Sequence, residues 1–263
     1  MFIKVLNRKA TNRSGVRSNV GYGNMLDQER YIYILNRVKD LNVLDCACGV
    51  GWGSYLIANA DAKHVTAVDL SLEAIEAAKK YYPHQNVNYI STDIYTSEFK
   101  SKFDLITSFE TIEHVEDPVE FLKTLHRFSH ENTILFLSTP NGSLFKSFEK
   151  PENPYHRNEY KKEELINFFK NSGWEVIQYL GQYQIDINNK KKINEYKDFI
   201  KRFWDDKKLT KKYGFIYAFC AKIIRRLSNK LLVDPAHSSS CRPEKVHDYN
   251  YPAYHYFELK RKT

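Results

Sequence analysis

The chain has 263 residues, of which 42% are hydrophobic and 14% aromatic, so it can bury one sizeable core with room for an appended subdomain. It has no apolar run long enough to span a bilayer, no signal-peptide core and no disulfide framework among its four cysteines, which predicts a cytoplasmic protein. The net charge of +8 is uneven: residues 189–230 hold 14 basic and 4 acidic side chains, so this segment carries +10 and the remainder −2.

Strands and helices alternate along the chain, which predicts an α/β, doubly wound, mainly parallel sheet. The predicted strands are 43–45, 64–70, 87–91, 103–109, 133–139, 174–180 and 254–260. The predicted helices are 24–39, 52–59, 72–82, 118–129 and 161–171, and aromatic residues in 186–248 suggest further amphipathic helices with basic faces. We divide the chain into a lead-in segment (1–40), a core (41–185), a basic helical insertion (186–248) and a final strand of the core sheet (249–263).

The most informative motif joins the first strand to the next helix. Asp45 ends an apolar strand, and glycines follow at positions 49, 51 and 53. Such a loop lets backbone N–H groups approach a ligand at a helix N-terminus. A dinucleotide fingerprint needs its third glycine at position 54, where this chain has serine. Asp45 would repel a pyrophosphate and attract an ammonium group, which favours S-adenosylmethionine; a strand–helix turn without a ligand is the alternative.

Acidic residues also follow the next two strands, and ligands of open α/β sheets bind at the carboxyl ends of strands. Asp69 lies 20 residues after Gly49, and we predict that it accepts hydrogen bonds from ribose hydroxyls. Asp93 follows the third strand, where it is predicted to accept from an adenine amino group while Ile94 packs on the ring. The remaining predicted cofactor-binding residues are Cys46, Gly51, Leu70 and Ser108.

Over residues 40–185 the chain resembles class I S-adenosylmethionine-dependent methyltransferases, whose first motif is an acid followed by three alternating glycines. Phrases at 109–115, 138–142 and 153–160 make the resemblance closest to bacterial O-methyltransferases of capsule and glycan gene clusters. It implies a Rossmann-like sheet of seven strands with the last antiparallel, and a lead-in helix that helps to cover the cofactor. Ala47 stands at the first glycine of the motif, where an alanine fits if its φ is negative.

A second group of polar residues is expected on the acceptor side. Glu110, Glu113 and His114 follow the fourth strand and share one face if they form a helical turn, and His156 follows the fifth strand. Two carboxylates and two imidazoles suit a divalent ion such as Mg²⁺ or Mn²⁺. The pattern is similar to that of small-RNA 3′-terminal 2′-O-methyltransferases, where it holds such an ion, and of ubiquinone-biosynthesis O-methyltransferases.

Two other interpretations of this group stay open. In the first, His114 or His156 acts as a metal-free general base that Glu110 or Glu113 orients. In the second, the four residues are structural.

The sequence therefore predicts an S-adenosylmethionine-dependent O-methyltransferase that acts on a sugar hydroxyl or phosphorylated group of a surface glycan or its nucleotide-linked precursor. The alternatives are an RNA 3′-end or quinone O-methyltransferase and a non-catalytic cofactor- or membrane-binding adaptor. The basic segment 189–230 is compatible with a phosphate-bearing substrate, peripheral contact with an anionic inner-membrane surface, or a solvated face. Nucleic acid ranks lowest as a partner because no RNA-binding motif accompanies the charge.

Overall fold

The computed structural model describes residues 22–145, 156–186, 242–246 and 250–262. The insertion segment 189–230 lies outside the described residues. The helices are α1 (Tyr22–Ile34, followed by a 3-10 turn at Leu35–Arg37), α2 (Trp52–Asn59), α3 (Leu72–Tyr81), α4 (Pro118–Arg127), α5 (Gly142–Phe145) and α6 (Lys162–Asn171). The strands are β1 (Asn42–Cys46), β2 (His64–Asp69), β3 (Val87–Ser91), β4 (Phe103–Phe109), β5 (Ser129–Pro140), β6 (Trp174–Asp186), β7 (Glu244–Lys245) and β8 (Asn250–Arg261).

All eight strands form one sheet in the order β3-β2-β1-β4-β5-β8-β6-β7. Strands β1 to β5 are mutually parallel, whereas β8 runs antiparallel between β5 and β6. The predicted α/β fold with an antiparallel last strand is confirmed. The predicted count of seven strands is wrong, because Glu244 and Lys245 add a short antiparallel strand against Leu180 and Gly181 of β6.

Side-chain caps explain where two helices begin. The Ser71 hydroxyl accepts a hydrogen bond from the backbone N–H of Ala74 at 3.1 Å and so starts α3. The Asp117 carboxylate accepts from the N–H groups of Val119 and Glu120 at 2.9 and 3.0 Å, with Pro118 at the first helical position of α4. Both helices therefore start at the residues that local sequence indicates.

Buried apolar side chains cover both faces of the sheet. On one face α4 and α6 pack against the central strands through Leu122, Leu125, Leu165 and Phe169, which belong to one cluster with Ile106. On the other face α1 and α2 contribute Tyr31, Ile34 and Ile57 to a second cluster. The sheet thus has the two-sided covering that a doubly wound fold requires.

The strand order reverses between β1 and β4, since β1 pairs with β2 on one side and with β4 on the other. The carboxyl ends of these strands therefore form the crevice in which open α/β sheets bind ligands. The acids singled out in the sequence lie at this edge, which we call the carboxyl edge. None of the described helices has both the length and the apolar character that crossing a membrane requires.

Candidate active site

The loop after β1 contains three left-handed backbone conformations. Ala47, Gly49 and Gly51 have φ angles of 61°, 55° and 80°. The condition under which an alanine fits easily, a negative φ, is not met at Ala47, because the tight turn after Cys46 imposes a conformation that costs an L-residue roughly 1–2 kcal/mol. A Cβ on Gly51 would lie 2.6 Å from Ala78, whereas a Cβ on Gly49 would have no neighbour within 4 Å. Gly49 thus presents open backbone at the start of α2, as a bound cofactor requires.

Asp45 is surrounded by hydroxyl groups of the chain. Its carboxylate, 1% exposed, accepts hydrogen bonds from Ser54 at 2.6 Å, Thr107 at 2.7 Å and Tyr31 at 3.0 Å. Burial raises the pKa of Asp45, and the three hydroxyl donors counteract that shift. The carboxylate therefore joins α1, α2 and β4 around the glycine loop, and its predicted direct contact with an ammonium group stays a prediction.

Asp69 connects the glycine loop to the start of α3. One carboxylate oxygen accepts from the N–H of Gly49 at 2.8 Å, and the other accepts from the N–H of Ser71 at 2.9 Å. Each carboxylate oxygen has a second lone pair, so these backbone contacts leave acceptor capacity for ribose hydroxyls. The predicted ribose role is compatible with this geometry.

The remaining predicted cofactor residues border the same edge. Asp93 is exposed, and one of its carboxylate oxygens accepts from the N–H of Tyr95 at 2.9 Å. Leu70 is 76% exposed, whereas Ile94 is partly buried against the core. Cys46 and Ser108 are buried neighbours in the β1–β4 pairing, and burial raises the pKa of the Cys46 thiol.

Glu110 stands at the end of β4 with a left-handed φ of 51°. One of its carboxylate oxygens accepts from the Ser138 hydroxyl at 2.9 Å and lies 3.2 Å from a guanidinium nitrogen of Arg30. The Arg30 side chain is 1% exposed and also donates to Asp27 at 2.7 Å and to Gln182 at 2.6 Å. Glu110 is therefore fixed to α1 by an ion pair.

The structure brings three of the four predicted acceptor-side residues together. Glu113, His114 and His156 each offer one ligand atom, and these atoms lie within 4.8 Å of one another. Glu110 is outside this group because Arg30 and Ser138 hold its carboxylate. The structure has a single turn over 112–114, which does not include Glu110, and Glu113 and His114 come close as neighbours within it.

Glu113 is the buried centre of this group, which we call the Glu113 cluster. Its side chain is 0% exposed, and Oε2 accepts from the Thr139 hydroxyl at 2.9 Å. Among the described residues Oε1 has no hydrogen-bond partner, and it lies 4.0 Å from the Nε2 atoms of both His114 and His156. Burial, with Glu110 nearby, raises the pKa of Glu113 well above its ordinary value. A buried acceptor without a donor is costly, so the cluster suits a cation or an O–H group.

The chain holds His156 beside Glu113 by two kinds of contact. The N–H groups of Arg157 and Asn158 donate to the Glu113 carbonyl, at 2.8 Å for Arg157. The Nδ1 atom of His156 lies 2.9 Å from a carboxylate oxygen of Glu159. These contacts direct the other ring nitrogen, Nε2, toward the cluster.

Sequence reasoning missed the contacts that support the predicted residues. The hydroxyls of Tyr31, Ser54 and Thr107 surround Asp45, and their separation in sequence gave no indication of this. Arg30 lies within the predicted lead-in helix, and its sequence context does not indicate the pairing with Glu110. Glu159 had a local signal, since it follows His156 by three residues.

A cavity of about 260 Å³ lies elsewhere in the described structure, at the amino ends of β4 and β5. Its polar lining residues pair with one another: His130 with Asp104 at 3.0 Å and Arg37 with Glu258 at 2.6 Å. The chemistry-bearing residues singled out in the sequence are at the opposite edge of the sheet, where they form the candidate site.

Comparison with known proteins agrees with this geometry. The sequence model of a family described as "Methyltransferase domain" matches residues 25–179. A probable S-adenosylmethionine-dependent methyltransferase of Mycolicibacterium smegmatis is 27% identical over 154 residues, which are 58% of this chain and 59% of that protein. The ubiquinone biosynthesis O-methyltransferase of Coxiella burnetii is 37% identical over 125 residues, 45% of this chain and 51% of that protein.

The fold is also found among solved structures. The N-methyltransferase NodS of Bradyrhizobium japonicum, in complex with S-adenosyl-L-homocysteine, has a TM-score of 0.52 and 18% identity, with 69% of this chain and 91% of that chain covered. This likeness supports the fold. The chain spans between half and three fifths of the length of the curated relatives named above.

Proposed function

The chain belongs to the methyltransferase-domain family, and from this premise we propose that it transfers the methyl group of S-adenosylmethionine to an acceptor hydroxyl. The observation that carries the acceptor half of this proposal is the Oε1 atom of the buried Glu113, which faces two histidine nitrogens and has no hydrogen-bond partner within the described ranges. A hydroxyl needs such acceptors around it, since it must lose its proton to become a strong nucleophile.

The cofactor would occupy the crevice beside the glycine loop. Gly49 supplies open backbone there, Asp69 has spare acceptor capacity for ribose hydroxyls, and the exposed Leu70 offers an apolar surface to a base. Asp45 acts by holding the loop, α1 and β4 together through three hydroxyls. Direct displacement at a methyl group depends chiefly on the alignment of acceptor and donor, so a rigid loop of this kind serves the reaction.

The Glu113 cluster would receive the acceptor hydroxyl. Its ligand atoms, one carboxylate oxygen and two imidazole nitrogens within 4.8 Å of one another, are also of the types that bind a divalent ion. An Mg²⁺ or Mn²⁺ ion held by Glu113, His114 and His156 would lower the pKa of a hydroxyl bound to it. Without an ion, His156 or His114 would accept the hydroxyl proton directly.

We further propose that the acceptor is a sugar hydroxyl or phosphorylated group of a surface glycan or its nucleotide-linked precursor. The sequence phrases at 109–115, 138–142 and 153–160 support this choice, and the basic segment 189–230 would attract a phosphate-bearing substrate. The similarity to a ubiquinone biosynthesis O-methyltransferase over the core makes a quinol hydroxyl the second candidate.

The test is release of S-adenosylhomocysteine from S-adenosylmethionine with a panel of acceptors: nucleotide sugars, glycan extracts, a short-chain quinol and RNA ends. We expect acceptor-dependent release with the sugar compounds, and a modest loss of activity between 50 and 200 mM salt, because a nucleotide sugar carries few charges. An RNA acceptor would instead lose binding steeply over that range. Absence of release with every acceptor, combined with cofactor binding by calorimetry, would favour the non-catalytic adaptor.

The same assay separates the two acceptor-side mechanisms. We expect EDTA to abolish release and Mg²⁺ or Mn²⁺ to restore it, since the Glu113 cluster has the donor atoms that such an ion accepts. Full activity in the chelator would eliminate the metal mechanism and leave a histidine as the base. Calorimetry with S-adenosylhomocysteine in EDTA provides the control, because no residue of the glycine loop belongs to the cluster.

A further inference from the structure

We infer that Glu159 is a positioning residue that fixes the proton of His156 on Nδ1 and so makes Nε2 an acceptor toward the Glu113 cluster. This inference depends on the proposed function in one respect only, which is that the ligand of the cluster is the hydroxyl that becomes methylated. The tautomer itself follows from contacts within the chain.

The contact between the two side chains is short and shielded from water. Nδ1 of His156 lies 2.9 Å from Oε1 of Glu159, and the two side chains are 10% and 9% exposed. An ionised carboxylate can only accept a hydrogen bond, so the ring nitrogen facing it carries the hydrogen. In a neutral imidazole the other nitrogen, Nε2, then has a free lone pair.

This assignment determines what the cluster can bind. Nε2 of His156 and Oε1 of Glu113 face each other at 4.0 Å, a distance too long for a hydrogen bond between them. With Nδ1 of His156 protonated and Glu113 ionised, both atoms are acceptors, so their approach is unfavourable unless a cation or an O–H donor stands between them. Glu159 thereby selects a divalent cation or a hydroxyl as the ligand.

The segment 156–159 is held in place independently of this contact. The N–H of Arg157 donates to the Glu113 carbonyl at 2.8 Å, and Tyr160 forms a parallel bridge with Asn141. Removal of the Glu159 carboxylate should therefore release the His156 ring while the backbone around it stays anchored. The role is orientation of one imidazole, with no contact between Glu159 and substrate implied.

The test uses Glu159→Leu, which removes the acceptor oxygens, with Glu163→Leu as the matched control. Glu163 is an exposed acid on α6, so the control makes the same change of charge and type. In ¹⁵N NMR of the imidazole rings we expect the Nδ1-protonated form of His156 in the native protein and in the control. In Glu159→Leu we expect the Nε2-protonated form to dominate.

A second readout is Mn²⁺ binding, followed by electron paramagnetic resonance without any methyl acceptor. Loss of an outer carboxylate that orients a ligating histidine costs about 10–100-fold in metal affinity. We expect that loss in Glu159→Leu and a change below about twofold in Glu163→Leu. Unchanged imidazole spectra and unchanged Mn²⁺ affinity in a folded Glu159→Leu protein would overturn the inference.

The isosteric variant Glu159→Gln serves if Glu159→Leu does not fold. Its neutral amide supports the ring less well than a carboxylate, so we expect at least a threefold loss of Mn²⁺ affinity; an unchanged affinity would also overturn the inference. Neither readout involves methyl transfer. A protein without transferase activity can therefore still confirm the role of Glu159, and an active one can still contradict it.

Discussion

The cofactor side and the acceptor side of the candidate site differ in how many hydrogen bonds their carboxylates accept from the chain. On the cofactor side, Asp45 receives three hydroxyl donors and Asp69 receives two backbone N–H donors. On the acceptor side, Glu113 is as buried as Asp45, yet one of its oxygens has no hydrogen-bond partner in the part of the chain that the structure describes. The comparison indicates that the cofactor crevice is built in advance, whereas the acceptor site is complete only when a ligand enters.

The largest expected effect comes from Glu113→Gln. The amide keeps the size of the side chain but removes the charge that faces the two histidines, so we expect the rate of methyl transfer to fall about 100-fold or more. Unfolding temperature should stay the same or rise, because burial of an unpaired carboxylate is costly. S-adenosylhomocysteine release and calorimetric cofactor affinity are the measurements.

Glu116→Gln is the control for this prediction, because Glu116 is an exposed acid of the same loop. It should leave rate and stability unchanged. A rate of methyl transfer for Glu113→Gln above half the native value would contradict the proposed difference between the cofactor side and the acceptor side.

The second prediction concerns Arg30, which links the halves through Glu110. Arg30→Met should lower the free energy of unfolding by about 3 kcal/mol, since it removes a fully buried guanidinium from its paired carboxylates. Arg37→Met is the matched control: Arg37 also contacts a carboxylate, that of Glu258 at 2.6 Å, but is 39% exposed, so we expect a loss of at most about 1 kcal/mol. Equal losses of unfolding free energy for Arg30→Met and Arg37→Met in urea would contradict a special role for the buried contacts of Arg30.

The third prediction concerns how the free energy of unfolding depends on pH. It rests on His255, which lies in β8 opposite Thr139, beneath the acceptor half of the site. Burial lowers the pKa of His255 from 6.5 to about 3 in the folded chain. Below pH 6.5 His255 becomes protonated in the unfolded chain but stays neutral in the folded chain. The free energy of unfolding therefore falls as the pH falls toward 3. Between pH 7 and pH 5 this loss is about 2 kcal/mol.

His255→Gln tests this pH dependence, because glutamine keeps hydrogen-bonding groups but does not titrate. We expect its free energy of unfolding to fall less between pH 7 and pH 5 than that of the native chain. Identical slopes in urea titrations at the two pH values would contradict the assignment to His255.

The smallest expected effect is on the cofactor side. Tyr31→Phe removes one of three hydroxyl donors to Asp45, and the bonds from Ser54 and Thr107 remain, so we expect a loss of about 1 kcal/mol in stability. Cofactor affinity should change less than tenfold. Tyr33→Phe is the control, since the Tyr33 hydroxyl makes only a 3.4 Å contact with Gln178. A loss above about 3 kcal/mol would mean that the crevice depends on a single hydroxyl.

The sequence predicted the parts of the site that follow from strand ends. Asp45, Asp69 and Asp93 lie at the carboxyl edge because parallel strands end there together, and the same rule brought His156 to Glu113 and His114. The sequence could not predict the Arg30–Glu110 pair, because no local pattern connects two residues that are 80 positions apart. Nor could it predict β7, because two residues are too few to show a pattern.

Local strain was also beyond sequence analysis. Alanine at position 47 gives no signal of strain, but the turn between β1 and the glycine loop has a φ of 61° there. The hydrogen bonds that close the loop over Asp45 outweigh the preference of Ala47 for a negative φ. A similar override applies at Glu110, whose strained backbone is held by partners on other elements.

The position of β8 has a consequence for how the molecule is made. This strand lies between β5 and β6, although it follows β5 by more than a hundred residues. On the ribosome, the inner borders of β5 and β6 therefore stay unpaired until β8 has been synthesised, and such exposed borders are prone to aggregation. A nascent chain released before residue 250 would lack the strand that joins the two parts of the sheet, so we expect chaperones to bind it.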